Sequence, residues 1–292
     1  MNPYLDLLQD VLDTGTWQRN RTGVRAKFIP GAMLKFDLAR GFPVITTRKA
    51  PVKSSIAEMI GFLRGYTSAA DFRALKCTFW DKNANETPSW LASAYRSGPD
   101  DLGEIYGHFW RRWTADDGTV IDQVADALQT LHTDPTSRRI IVNGWKVEAI
   151  KQGRGALPPC HIAWHLIANE ETRELSLCMW QRSCDMVLGI GGGNISGYAF
   201  LLAWIARLAG YTPRWLTMHL DDVHIYEGHV EGVQEQLSRA PRPLPRLVFD
   251  TALPDLARDL VFRPAWIDRI EPAQVSLVGY DPHPAIKFEM AA

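Results

Sequence analysis

The chain has 292 residues, which is enough for one large domain or two small ones with a substantial core. Its 46% hydrophobic and 22% charged residues are typical of a globular protein rather than a disordered or fibrous one. Because 32 Lys and Arg residues face 33 Asp and Glu residues, there is no bulk positive charge to attract nucleic acid, and local arginines must hold any anion that binds.

The first part of the chain shows apolar periodicities of both helices and strands. In chain order, the predicted elements are a helix ending near Gly15, a loop over residues 19–23, short strands over residues 24–47 with turns at 30–31 and 41–43, and a helix over residues 54–64. Glu58 lies within the otherwise apolar stretch of that last helix. Residues 82–104 are rich in Asn, Ser, Pro, Gly and Asp, and we expect an irregular insertion or lid there.

Beyond that insertion, strands and helices follow one another without a regular order. The predicted elements are a helix over 121–131, a strand that starts from the charged residues 138–139, strands over 161–168 and 175–181, a buried helix over 195–209, a helix over 227–238, and a strand region from Val275. Asn194 is the candidate N-cap of the buried helix. The absence of a regular strand–helix–strand alternation predicts an α+β fold, with one domain over residues 1–292.

Cysteine usage and the N-terminus indicate the compartment. The four cysteines include no CxxC pair, so their spacing fits no zinc site, and they are too few for a disulfide framework in a chain of this size. The first residues lack the basic and apolar regions of a signal peptide. The longest apolar run, residues 198–208, is too short to span a bilayer and contains Arg207. We expect a reduced protein in the cytoplasm of a bacterium or of an infected host, with no metal and no membrane partner.

The most informative motif is Leu157-Pro158-Pro159-Cys160-His161, followed along the chain by Gln181-Arg182-Ser183-Cys184-Asp185. A cysteine attacks as the thiolate, which forms where positive charge or hydrogen-bond donors stabilise it. A buried cysteine is more often a small core residue than a catalyst. The neighbouring histidine and the arginine–serine pair favour a nucleophile at Cys160.

Four arginines, Arg21, Arg138, Arg139 and Arg182, are candidates for binding phosphate. They lie in three segments that contain Ser, Thr or Gly, namely Arg21-Thr22-Gly23, Ser137-Arg138-Arg139 and Arg182-Ser183. The planar guanidinium also suits a phosphate better than an ammonium does. Any single one is more often a solvated surface arginine, but the repeated association favours phosphate. The chain has no P-loop and no strand-linked GxGxxG, and we interpret the three glycines at 191–193 as a flexible turn.

Two further groups could serve a ligand. A buried Glu58 would have a raised pKa and could relay protons, although a carboxylate satisfied by a neighbouring donor is the more common case. If residues 221–226 are extended, Asp222, His224 and Tyr226 share one face of the strand. That row would suit a ligand, and a polar edge strand would show the same pattern.

These motifs are similar, in order and over essentially the whole length, to those of the thymidylate synthase family. The matching segments are Arg21-Thr22-Gly23, Gly41-Phe42-Pro43, Thr46-Thr47, Glu58, Phe62-Leu63, Phe79-Trp80-Asp81, Asp101-Leu102-Gly103, Tyr106-Gly107, Ser137-Arg138-Arg139-Ile140, the two cysteine motifs, His224-Ile225-Tyr226, Gly279-Tyr280 and His283-Pro284. Agreement at so many motifs is highly specific. The resemblance implies a mixed sheet packed with helices and a homodimer formed through one face of that sheet.

The resemblance also implies the chemistry. Cys160 would attack C6 of the uracil ring of dUMP, so that C5 can take the one-carbon unit of 5,10-methylenetetrahydrofolate. Glu58 would organise water and proton transfer, with Tyr106 and His161 lining the site, and Arg182 would lie near the nucleophile.

The remaining implied residues bind the two ligands. Arg21, Arg182 and Ser183 would hold the phosphate together with Arg138 and Arg139 from the other subunit. The uracil and deoxyribose would be held by Gln181, Asn194, His224 and Tyr226. The residues on the folate side would be Trp80, Leu157, Asp185, Gly189 and the C-terminal residues around Ala291.

One segment departs from the family pattern. The family normally reads Leu-Gly-x-Pro-Phe-Asn before the long buried helix, whereas residues 188–194 read Leu-Gly-Ile-Gly-Gly-Gly-Asn and are one residue longer. Glycines add backbone freedom, and an aromatic that faces the folate is lost. Smaller departures are Lys146 for asparagine, Asp221 for glycine and Gly228 for asparagine.

These departures bear on the last step of the reaction. Hydride addition to the C5 methylene gives thymidylate and dihydrofolate, whereas water gives 5-hydroxymethyl-dUMP and tetrahydrofolate. The glycines and the charge at Asp221 favour water, so the sequence favours a deoxyuridylate hydroxymethylase over a thymidylate synthase, although most family members are synthases. Asn194, where related cytidylate hydroxymethylases have aspartate, favours dUMP over dCMP. A third alternative is an inactive homologue that binds nucleotide or RNA, and retention of Cys160 and Glu58 argues against it.

Overall fold

The computed structural model describes residues 2–19, 23–256 and 262–290. Its α-helices are α1 (Pro3–Thr14), α2 (Val52–Leu63), α3 (Ala69–Ala74), α4 (Asp81–Asn85), α5 (Pro88–Leu91), α6 (Tyr106–Arg111), α7 (Gln123–Thr133), α8 (Val147–Gln152), α9 (Ile195–Ala209) and α10 (Val230–Leu237). A π-helical segment, Met186–Asn194, runs directly into α9, and we call it the wide turn. Two predicted site residues, Arg21 and Ala291, lie outside the described residues.

The strands form one large mixed sheet and two small pairs. They are β1 (Thr16–Gln18), β2 (Ala26–Asp37), β3 (Trp113–Thr114), β4 (Val120–Ile121), β5 (Ile141–Asn143), β6 (His161–Asn169), β7 (Glu174–Asp185), β8 (Thr212–Tyr226), β9 (Arg246–Phe249) and β10 (Val275–Val278). The six-stranded sheet has the order β1-β2-β8-β7-β6-β5, in which β7 and β8 are parallel and the other neighbours are antiparallel. This architecture, with helices packed on a mixed sheet, confirms the α+β prediction.

The core is centred on α9. Every residue of this helix except Arg207 is buried, and it packs against α2 on one side and against β7 and β8 on the other. Together with the wide turn it forms a helical stretch of 24 residues, Met186–Ala209, which is long and apolar enough to cross a membrane. Because 83% of its most apolar window is buried inside the protein, this stretch matches the core helix of a globular protein.

One face of the large sheet is covered by helices, whereas no helix of the described residues covers the other. Met33, His219, Trp180 and Ala163 are cross-strand neighbours in a single row, and Ile167 lies on the same face. Met33 is 58% exposed, Ile167 47% and Trp180 46%, although all three are apolar. The sheet therefore presents an apolar surface on the side opposite α9.

Several local predictions were wrong for identifiable reasons. The turn predicted at 30–31 lies inside β2: β1 pairs only with residues 26–28, so Pro30 needs no N–H for a partner on that side. No strand follows β2 before residue 47; a 3₁₀ turn, Leu38–Arg40, ends it. Residues 82–104, by contrast, have no helix or strand over most of their length, as predicted, apart from the end of α4 and all of α5. The other predicted helices and strands are present, the helix over 195–209 with the predicted bounds and most of the others with shifted ends. The loop predicted over residues 19–23 lies largely outside the described residues.

Candidate active site

Cys160 lies immediately before β6 and is partly exposed, whereas Pro159 is buried. The backbone N–H of Cys160 donates to the Tyr106 hydroxyl at 2.8 Å. The carbonyl of Cys160 accepts from the backbone N–H of Arg182 at 2.9 Å. Burial raises the pKa of Tyr106 well above its usual value, so the hydroxyl stays protonated at neutral pH. These bonds fix the backbone of Cys160 between the start of α6 and β7.

The Arg182 side chain is held against the loop that carries Cys160. Its Nε donates to the Pro159 carbonyl at 2.9 Å, and its Nη2 donates to the Pro158 carbonyl at 3.1 Å. The guanidinium also lies over the Trp145 ring, 5.1 Å from the ring centroid. Among the described residues no carboxylate forms an ion pair with Arg182, so its charge remains available to an anionic ligand.

Glu58 lies among aromatic side chains. The indole Nε1 of Trp80 donates to Glu58 Oε1 at 3.0 Å. Although Glu58 keeps partial solvent exposure, the protein atoms packed around its carboxyl raise its pKa from 4.5 to about 7, against the opposing effect of the Trp80 hydrogen bond. The Trp80 ring in turn meets Tyr106 edge-on at 5.7 Å. A carboxyl with a pKa near neutrality can both donate and accept a proton, as general acid–base catalysis requires.

A second group of polar side chains lies beneath α9. Gln181 Nε2 donates to Asn194 Oδ1 at 3.2 Å and to the Ser183 carbonyl at 2.9 Å. Burial lowers the pKa of His161 to about 4, despite a hydrogen bond with Asn194, so this imidazole is neutral. Buried polar atoms without a protein partner here include His161 Nδ1, Gln181 Oε1 and the Tyr198 hydroxyl. Such atoms fit a polar ligand, because an unpaired buried polar atom is unfavourable.

The row predicted at the end of β8 is present. Residues 221–226 are extended within β8, and His224 Nδ1 lies 2.9 Å from Asp222 Oδ1. The rings of His224 and Tyr226 meet edge-on at 5.2 Å. Burial alone would lower the pKa of His224, but the hydrogen bond to Asp222 and the charge of Asp185 raise it above its ordinary value. The parallel register pairs Asp185 with His224, which brings this row next to the end of β7.

The wide turn differs from its prediction. None of its glycines has a positive φ, so the segment is a regular helical turn and not a flexible loop. Asn194 is itself helical and its side chain does not cap α9, because the turn already supplies helix before it. Asp185 caps the segment instead, accepting the N–H groups of Val187 and Leu188 at 2.8 and 3.1 Å. A π turn contains one more residue than an α turn, which accommodates the extra residue of this chain.

Other parts of the protein pack closely on the wide turn. The Tyr4 hydroxyl donates to the Met186 carbonyl at 2.9 Å, and a Cβ at Gly191 would lie 2.2 Å from that hydroxyl oxygen. Ser55 Oγ donates to the Gly192 carbonyl at 3.3 Å. Glycine at 191 is thus required by the close approach of Tyr4 rather than by backbone freedom.

The structure brings most of the predicted residues together around Cys160. Hydrogen bonds and ring contacts link one group of residues: Glu58, Trp80, Tyr106, His161, Gln181, Arg182, Ser183 and Asn194. The parallel register of β7 and β8 places Asp185, His224 and Tyr226 beside this group. A Cβ at Gly189 would lie 3.4 Å from Asn194 Oδ1, and Leu157 is half-buried at the edge of the core. Arg138 and Arg139 are exposed, and in the described part of the chain they contact no other predicted site residue.

Three residues that were not predicted from the sequence also contact this site. Ser55 contacts the wide turn, Trp145 supports Arg182, and Arg48 donates to the Val187 carbonyl at 2.5 Å. None carries a local signal, since each acts on a segment distant in sequence. The described residues contain no group of three or more His, Cys, Asp or Glu side chains that could hold a metal ion.

Comparison with known proteins agrees with this geometry. Residues 2–292 match the family model described as thymidylate synthase. The chain is 43% identical to a thymidylate synthase of Bordetella parapertussis, over the full length of both proteins. It is 44% identical to the thymidylate synthases of Pseudomonas syringae pv. tomato and Pseudomonas putida, again over the full length of each.

Proposed function

This chain belongs to the thymidylate synthase family, whose members are transferases that use 5,10-methylenetetrahydrofolate as cosubstrate, and on that premise we propose that it converts dUMP to dTMP and releases dihydrofolate. The observation that carries this choice is the close packing of the wide turn by Tyr4 and Ser55. The sequence favoured a hydroxymethylase mainly because the glycines predicted a loose loop at this position. The relatives named above are likewise all called thymidylate synthase.

The reaction begins at Cys160. The thiolate adds to C6 of the uracil ring, and the electron pair moves to C5 and the O4 carbonyl, which makes C5 nucleophilic. The Tyr106 hydroxyl and the Arg182 backbone hold the cysteine in place for this attack. Because the Cys160 sulfur leaves again at the end, it is regenerated in each turnover.

Glu58 is proposed to move protons on the other side of the ring. With a pKa of about 7 it is partly protonated at neutral pH, so it can give a proton to O4, directly or through water, and take one back as C5 loses its hydrogen. The Trp80 indole fixes the orientation of its carboxyl.

The nucleotide is proposed to be held from three directions. Asn194, oriented by Gln181, reads the uracil edge, and neutral His161 completes that wall. His224 and Tyr226 bind the 3′-hydroxyl. The phosphate is held by Arg182 and Ser183, by Arg21, and by Arg138 and Arg139 of a second copy of the chain.

A homodimer would complete the phosphate site. Arg138 and Arg139 are exposed before β5, an edge strand of the large sheet, and no carboxylate in the described chain pairs with them. The uncovered sheet face with Met33, Ile167 and Trp180 supplies the apolar surface that a stable interface needs. We propose that a second copy covers this face and donates both arginines. The unit is proposed to be a single domain of residues 1–292 that works in the cytoplasm.

Methylenetetrahydrofolate supplies the carbon and, in the synthase reaction, the hydride. The residues proposed to contact it are Trp80, Leu157, Asp185, Gly189 and Ala291. A further aromatic ring lies beside them: a Cβ at Gly193 would be 4.0 Å from the ring of Phe79, which is 38% exposed and could contact a flat ring system. An aromatic surface therefore remains beside the wide turn, although the turn itself has none.

The second candidate is the deoxyuridylate hydroxymethylase. One observation favours it: residues 189–193 contain no aromatic side chain to exclude water from the pocket.

Product analysis distinguishes the two. The purified protein is incubated with dUMP and methylenetetrahydrofolate, and the nucleotide is identified by mass spectrometry, with Cys160→Ala as control. We expect the mass of dTMP. A product heavier by one oxygen would establish the hydroxymethylase, and no product would support the inactive homologue.

A further inference from the structure

Arg48 is a buried arginine without a carboxylate partner in the described chain. It lies between β2 and α2 and is only 4% exposed. Its Nε donates to Gln236 Oε1 at 2.9 Å, and Gln236 Nε2 in turn donates to Thr47 Oγ1 at 3.0 Å. A buried charge is unfavourable unless hydrogen bonds satisfy it, so the position of this guanidinium depends on the groups that accept its hydrogen bonds.

On one side Arg48 holds the wide turn. Its Nη2 donates to the carbonyl of Val187, next to the Met186 carbonyl that Tyr4 holds. Two adjacent carbonyls at the start of the turn are therefore bound by side chains from elsewhere in the chain. The position of Asn194 at the other end depends on this start, because the turn is helical throughout.

On the other side Arg48 contacts the C-terminal segment. Its guanidinium carbon lies 5.2 Å from the centroid of the Phe288 ring. That ring packs directly on α10, where a Cβ at Gly232 would lie 2.4 Å from it. His229 Nε2 lies 2.6 Å from the Glu289 carbonyl, and the His229 ring meets Phe288 edge-on at 5.3 Å. The chain is thus anchored just before its last residues.

We propose that Arg48 is a positioning residue that couples the C-terminal segment to the wide turn. One guanidinium joins the two segments between which the folate is proposed to lie, so a displacement of either is transmitted to the other. This inference rests on the proposed function for the location of the folate. A cation–π contact and a charge-assisted hydrogen bond on one group provide the physical link.

A double-mutant cycle tests the coupling. Arg48→Lys keeps the positive charge but loses the planar guanidinium with its several N–H donors. Phe288→Leu keeps an apolar side chain but loses the aromatic ring. The double variant combines the two changes. Each single change is expected to raise the KM for methylenetetrahydrofolate about tenfold, the effect of losing one charge-assisted contact, with the KM for dUMP changed less than about twofold. The double variant should resemble the singles instead of multiplying them.

Arg40→Lys is the matched control, because the Arg40 side chain is 83% exposed and makes only a long ion pair, 3.7 Å from Arg40 Nε to Asp37 Oδ2. It should leave both KM values unchanged. Independent, multiplicative effects of Arg48→Lys and Phe288→Leu would overturn the coupling, as would equal rises in both KM values. The parent enzyme tests the proposed function separately, because that proposal fails if the parent makes no dTMP. In that case hydrogen exchange still tests the coupling: the exchange rate of residues 283–290 should be higher in Arg48→Lys than in the parent.

Discussion

The two sides of the site are built in different ways. On the nucleotide side, Gln181, Ser183 and His224 lie on β7 and β8 and Cys160 on the loop entering β6, so the register of central strands places them. On the folate side, the wide turn is placed by single side chains from distant segments, namely Tyr4, Arg48 and Ser55. The backbone hydrogen bonds between strands hold the nucleotide side in place, whereas the folate side depends on a few specific side-chain contacts.

This difference explains where the chain could accept an extra residue. An insertion in a strand moves every following side chain to the opposite face, which would separate Gln181 from Asn194. A helical segment absorbs one residue by widening a turn and keeps its ends in place. The departure from the family pattern therefore lies in the wide turn, while the residues around Cys160 are retained.

The largest expected effect tests the nucleotide side. Cys160→Ala removes the nucleophile, and the rate of product formation should fall by roughly 10⁴-fold or more. Cys178→Ala is the control, since Cys178 lies in β7 on the sheet face opposite α9 and away from the candidate active site. Loss of one sulfur at the proposed dimer interface should leave the rate within about threefold of the parent. Measurable turnover by Cys160→Ala would break the assignment of this side as the catalytic one.

Glu58→Gln should lower kcat by roughly 10²- to 10⁴-fold, because a proton relay is lost. It also has a signature in stability. The pKa of Glu58 is about 7 in the folded protein and 4.5 as its ordinary value, so between these pH values the folded state binds a proton that the unfolded state has lost. The parent should therefore lose stability as pH rises from about 4.5 to about 7, by on the order of 3 kcal/mol.

Urea unfolding of the parent and of Glu58→Gln over this pH range measures that loss. The variant cannot titrate at residue 58, so its advantage over the parent should grow with pH and level off above about 7. A constant difference between the two proteins would show that Glu58 has an ordinary pKa.

A pair of glycine substitutions tests the folate side. Gly191→Ala places a Cβ 2.2 Å from the Tyr4 hydroxyl oxygen, and overpacking of this kind destabilises by about 1–3 kcal/mol. Gly192→Ala meets only the Val187 carbonyl, at 3.3 Å, and should change stability by less than about 1 kcal/mol. Thermal unfolding of both variants checks this order. Equal stabilities would mean that Tyr4 does not hold the turn.

The smallest effect is expected from Asp221→Gly, which restores the residue usual in the family. Asp221 Oδ2 accepts from the Trp180 indole at 2.8 Å on the uncovered sheet face, and one such exposed bond contributes about 1 kcal/mol or less. The product should be unchanged, because the contact is on the opposite face from α9. A shift of product toward 5-hydroxymethyl-dUMP in the parent relative to this variant would place Asp221 in the water-controlling part of the site.

The predictable parts of the molecule were those with local signals. The buried helix 195–209 is an apolar run that ends at Gly210, and the structure has it with those bounds. The row of Asp222, His224 and Tyr226 follows from the alternation of side chains in a strand. The grouping around Cys160 was implied by the family resemblance, and the structure brings those residues together.

The wide turn could not be predicted, because its stability is tertiary. Consecutive glycines have a low helix propensity, and a local reading of them gives a flexible turn. Here Tyr4 and Arg48, more than 130 residues away along the chain, bind its first carbonyls. The raised pKa of Glu58 has a similar origin, since it depends on the side chains packed around the carboxyl.

The central claim is that a closely packed wide turn lets hydride, and not water, complete the reaction. The most direct test measures the dihydrofolate released per dUMP consumed, by absorbance and by mass spectrometry of the same reaction. The account predicts one dihydrofolate for each dTMP formed. Consumption of dUMP without any dihydrofolate, with tetrahydrofolate and 5-hydroxymethyl-dUMP as products, would contradict it.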